Sequence, residues 1–129
     1  RIPRCYPRFI IGIYDEDLSR ILILIRNRFR MKERVRMVSK CTVTNDVVVL
    51  TDSYLIIISP TLEFISNEIS ILEIQSVAVV ESELRIAGKK ESEKMMFRLD
   101  SEKTSKIFSI FIASQRLSLG MFGMSMIDK

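Results

Sequence analysis

The sequence predicts a mainly β, α+β domain: a bent antiparallel sheet of about seven strands closed by a C-terminal helix, with a short extra helix near the N-terminus. Three observations carry this. Short apolar runs rich in Val, Ile and Leu recur through residues 47–99 with turn residues between them. A single segment of helical periodicity follows, with Phe108, Phe111 and Ile112 on one face. A chain of 129 residues is one domain by length and can fold on its own core.

Residues 1–14 mix Arg, Pro and aromatic side chains, and Pro3 and Pro7 disfavour helix, so they read as an extended arm over the domain. The domain proper spans 15–119. Asp15, Glu16 and Asp17 supply a cap and first-turn negative charge for a helix through the apolar residues 18–25, with arginines where the dipole turns negative. The stretch 21–25 also suits a strand. From 26 to 36 every even position is basic (Arg26, Arg28, Arg30, Lys32, Arg34, Arg36), and the odd positions include Phe29, Met31 and Val35. Period two predicts a strand with cations on one face and core residues on the other, Glu33 being the misfit.

Asn45 and Asp46, then Asp52 and Ser53, mark turns around strands at 47–51 and 54–59, and Pro60 ends the second. Further short strands are expected at 62–65, 69–72, 77–80, 83–87 and 95–99. Asp100 or Ser101 caps the last helix over 101–119, Gly120 stops it, and 120–129 form a Met- and Phe-containing tail. The expected core includes Met31, Val35, Val49, Ile57, Ile110 and Phe111.

Composition narrows function by exclusion. Histidine is absent, which removes the commonest general base and a common zinc ligand. The four glycines never cluster as a phosphate loop requires. Glu81, Glu83, Glu91 and Glu93 have the alternate spacing of a solvent-facing hairpin. The reading is therefore not an enzyme, with no cofactor and no metal. Cys5 and Cys41 lack redox or metal spacing and read as free thiols in a reducing, cytosolic compartment. The start at Arg1 reads as a piece of a longer chain. No uncharged apolar run approaches the ~20 residues of a membrane-spanning helix.

Charge is unevenly distributed. Residues 1–40 hold eleven Lys or Arg against four acids, and the remainder holds nine against twelve, within an overall net charge of +4. Such asymmetry marks a face for an anionic partner. The candidate site is Arg28, Arg30, Lys32, Arg34 and Arg36, set by alternation on one side of one strand to meet anionic lipid or phosphoinositide. The same strand also reads as a solvated edge that charge protects from aggregation. Lys89 and Lys90 form a weaker basic turn, and the acidic remainder argues against nucleic acid.

The order of seven strands and a helix is pleckstrin-homology-like, and on pattern alone it also suits other all-β barrels with a terminal helix. The arm with Arg1, Pro3, Arg4, Pro7 and Arg8, then Tyr14 before a short helix, a basic strand, and Asn45-Asp46 followed by an apolar run ending in Thr51 and by Tyr54-Leu-Ile-Ile-Ile, resembles the C-terminal pleckstrin-homology-like domain of the vacuolar protein sorting-associated protein thirteen family. The likeness covers residues 1–119 and departs from the family pattern in the irregular arm and the lack of tryptophan. The tail homology domain of class I myosins shares the apolar run ending in Thr. The resemblance implies a peripheral, cytoplasmic module that moors one end of a bridge-like lipid-transfer protein at an organelle contact site. The alternative is a protein-docking module for a peptide, an adaptor or a small GTPase.

Overall fold

The computed structural model of the chain describes residues 9–30 and 33–127, with side chains described within 10–30 and 33–120. Among these residues the elements run β1 (Phe9–Ile11), α1 (Asp15–Phe29), β2 (Val35–Lys40), β3 (Val47–Thr51), β4 (Tyr54–Ile58), β5 (Ile65–Ser70), β6 (Ile74–Val80), β7 (Glu83–Gly88), β8 (Met95–Arg98) and α2 (Glu102–Ile127). They build a five-stranded sheet, ordered β1-β2-β3-β4-β5, and a three-stranded sheet, ordered β6-β7-β8. The fold is mainly β with a C-terminal helix. All pairings are antiparallel except β1 with β2, which are parallel.

The five-stranded sheet is buried on both faces, which explains why its central strands are uninterrupted apolar runs rather than alternating ones. On one face Val47, Val49, Ile56 and Ile58 pack with Leu18, Ile21 and Ile25 of α1. On the other, Val48, Leu50, Leu55 and Ile57 pack with Leu84, Ile86 and Phe97 of the second sheet and with Phe108 and Ile112 of α2. Strand β2 serves both cores by a bulge: its register against β3 shifts between Val35 and Met37. Val35 therefore joins the α1 side and Met37 the α2 side, although the two are an even number of positions apart.

Helix α1 is where the alternation reading fails. Residues 26–29 continue the helix and Arg30 ends it in the left-handed region at φ 53°, its N–H donating to the Arg26 carbonyl at 2.6 Å. The regular strand begins only at Val35. The cause is a second period that runs into the same residues: Leu18, Ile21, Leu22, Ile25 and Phe29 recur at three- and four-residue spacing, and packing this longer apolar stripe against β3 and β4 outweighs an alternation with fewer apolar positions to bury. Phe29 closes this seam against Tyr54, with ring centroids 4.8 Å apart.

Other expectations shift locally. Of the arm, residues 9–11 form β1 at the sheet edge, and residues 1–8 lie outside the described residues. Leu62 sits in a turn at φ 62°, so 62–65 is not a strand; β5 starts at Ile65 and 71–73 form a 3-10 turn. Ser101 caps α2, its Oγ accepting the Thr104 N–H at 3.2 Å. The Ser105 hydroxyl donates to the Ser82 carbonyl at 2.7 Å and ties the helix to the β6–β7 turn. Gly120 does not stop α2, whose backbone is helical to Ile127, because one glycine costs a helix only about 1 kcal/mol. Val35, Val49 and Ile57 are buried and Phe111 is half-buried against the core, whereas Ile110 is 63% exposed; Met31 is outside the described residues. Ile110 falls two positions before Ile112, which turns it almost to the opposite side of the helix.

Candidate functional site

The five basic residues singled out by alternation do not share a face. Arg28 projects from α1 toward β5, where its Nε and Nη2 donate to the two carboxylate oxygens of Glu68 at 2.9 and 3.1 Å. Its guanidinium also lies 4.8 Å from the centroid of the Phe29 ring. Arg34 and Arg36 both reach Asp52 in the β3–β4 turn, at 3.8 and 2.6 Å. Arg30 stands exposed at the C-cap of α1, and Lys32 lies outside the described residues.

Three of the five are thus occupied by carboxylates of the chain itself. Each pair is partly solvent-exposed and contributes about 0–1 kcal/mol, so their role is to fix position more than to stabilise. Asp52 also accepts from Gln115 of α2, at 3.2 Å to its backbone carbonyl and 3.3 Å to its carboxylate. Glu33, out of place in a basic strand, organises the same hairpin: its Oε1 accepts the Thr51 hydroxyl and the Ser53 N–H, both at 2.9 Å. Thr51 in turn accepts the Tyr54 N–H at 3.0 Å. The buried hydroxyl that ends the apolar run is the clasp of the β3–β4 turn.

Free positive charge lies elsewhere, on the outer side of α1. Arg20, Arg26 and Arg30 are exposed, and none has a carboxylate within ion-pair distance among the described residues. At about 100° per residue the three span roughly 120° of the helix circumference, with Ile23 near the middle of that arc. Ile23 is 52% exposed, and Tyr14, at the N-cap, is 77% exposed. This face points away from the sheet because Leu18, Ile21 and Ile25 occupy the opposite side. Asp15 and Glu16 are both exposed at its N-terminal end, Glu16 within the same arc one turn before Arg20. The alternation began at Arg26 but the candidate set left it out, and Arg20 and Ile23 lay outside the alternating stretch; reading 15–29 as one helix groups all three on its outer side.

The remaining basic residues are more dispersed. Lys89 approaches Glu73 at 4.0 Å, while Arg85 and Arg98 both approach Glu83, at 2.6 and 3.9 Å. A groove of about 650 Å³ runs between the edge strand β6 and α2, with Val77, Ile112, Ala113 and Leu117 among its lining. Arg116 crosses it to donate to the Gln75 carbonyl at 3.2 Å. Cys41 is a buried free thiol, and Cys5 falls outside the described residues. Burial pushes the Cys41 thiol up, but hydrogen bonds, chiefly from Thr44, hold it below its ordinary value.

Among the described residues no helix is long and apolar enough to cross a membrane. No protein-family model matches the chain, and no curated protein shows significant similarity to it.

Proposed function

We propose that this chain is a non-catalytic, pleckstrin-homology-like module that docks on anionic membrane surfaces through the outer face of α1, and that it moors one end of a lipid-transfer protein at the cytoplasmic side of an organelle contact site. The observation that carries the docking reading is the set of Arg20, Arg26 and Arg30 around exposed Ile23, with no carboxylate paired to any of them among the described residues. A helix face that places cations and an apolar side chain outward suits a headgroup layer over an acyl boundary. The two sheets followed by a long helix support the pleckstrin-homology-like assignment, and the resemblance of residues 1–119 supports the parent's role.

The test is liposome flotation of the 129-residue chain. Each Lys or Arg near an anionic surface contributes about 1 kcal/mol, so Arg20→Gln, Arg26→Gln and Arg30→Gln together should weaken binding on the order of a hundredfold at low salt. The difference should shrink at high salt as screening takes over. A matched triple of Arg28→Gln, Arg34→Gln and Arg36→Gln should lose less, because those side chains already face Glu68 and Asp52. Unchanged flotation of the first triple, with its circular dichroism intact, refutes the assignment.

A second reading is favoured by the groove between β6 and α2: an extended peptide of an adaptor or other partner would add to the free edge of β6 and seat an apolar side chain against Ile112 and Leu117. Salt-insensitive binding of a protein partner, abolished by Ala113→Arg, would select it.

A further inference from the structure

We infer that α1 reads the charge density of a membrane surface rather than the stereochemistry of one headgroup, with Ile23 as its interfacial anchor. This rests on the docking reading above and specifies what the same face recognises: any anionic lipid, phosphatidylserine as well as a phosphoinositide.

Selective capture of a phosphorylated headgroup needs several donors converging on a concave site. Among the described residues the cations that converge already hold a carboxylate: Arg34 and Arg36 meet at Asp52, and Arg85 and Arg98 meet at Glu83. The arginines of α1 do the reverse. Arg26 and Arg30, four residues apart, are neighbours on the helix surface, but Arg20 stands six residues, about 9 Å along the axis, and roughly 120° around it from Arg26, so no single phosphate can engage all three. Each can meet a different lipid, and binding then follows the number of negative charges under the helix.

An exposed Ile is unremarkable alone. Its position is what matters, at the centre of the cationic arc and on the side opposite the buried Leu18, Ile21 and Ile25. With the arginines at the headgroups, Ile23 is the side chain directed at the acyl boundary, a few ångströms deeper.

The experiment compares vesicles of phosphatidylcholine doped with phosphatidylserine or with a phosphoinositide and matched in zeta potential. Affinities of the 129-residue chain for the two should agree within about threefold, since the field is the same. Ile23→Ser should weaken both by on the order of tenfold, and Ile23→Phe should strengthen both. A preference above about tenfold for one headgroup at matched potential, lost in the Arg20, Arg26 and Arg30 triple, overturns charge-density reading and leaves the docking face standing. Equal binding by the Ser, Phe and parent chains overturns the anchor. Absence of binding to every anionic vesicle removes both this inference and the docking reading on which it rests.

Discussion

Replacing Ile21 by alanine tests whether α1 is a structural layer of the domain or an appendage lying on it. Ile21 is fully buried and packs with Leu18, Ile25 and the apolar residues of β3 and β4 that face α1. Truncation removes the transfer free energy of three carbons and leaves a cavity between two rigid elements, which together cost about 2–5 kcal/mol. Against a total stability of about 5–15 kcal/mol this is a large fraction. With an unfolding entropy of about 2.1 cal/mol/K per residue over 129 residues, a loss of about 3 kcal/mol lowers Tm by roughly 11 °C. The control is Ile23→Ala, two positions away on the exposed side, where the change should stay within about 0.5 kcal/mol. Urea and thermal unfolding followed by circular dichroism give both numbers. Equal effects of the two substitutions, or a cost below about 1 kcal/mol for Ile21→Ala, would refute the packing of α1 on the sheet.

Two further outcomes follow from the local geometry. Gly120→Ala should stabilise the domain by about 0.5–1 kcal/mol, since Gly120 is helical and an added Cβ meets nothing within 4 Å; a loss of stability would mean that the helix stops there after all. Thr51→Val should cost about 1–3 kcal/mol in a urea titration, because it leaves the Tyr54 N–H without its acceptor and removes one of the two donors to Glu33; an unchanged midpoint would show that the clasp contributes nothing.

Much of the strand order was legible because turn chemistry is local. Asp52-Ser53 and Lys89-Lys90 bound strands close to where they were expected, and 47–51 matches β3 end for end. The cap of α2 was readable to within one residue, Asp100 or Ser101, since it depends on residues three apart, and the structure selects Ser101. The candidate site was not readable in the same way. Residues 26–36 carry two periods at once, a basic alternation and the last turn of an apolar helical stripe through Phe29. Choosing between them requires knowing that β3 and β4 present a second apolar face for the stripe to cover.

The sequence alone determined the composition of the elements: an unbroken Val, Leu and Ile content in the central strands, a cation-rich first third, and one C-terminal helix. Tertiary structure decided which of those cations are free. Glu68 and Asp52 lie 40 and 16 residues from the Arg28 and Arg36 they hold, a pairing that no local pattern encodes. The same is true of the bulge that sends Val35 and Met37 to different cores. An ion pair or a buried contact depends on distance in space, and here that distance is set by the packing of α1 on the sheet, for Arg28, and by the register of β2 against β3, for Arg36 and the bulge.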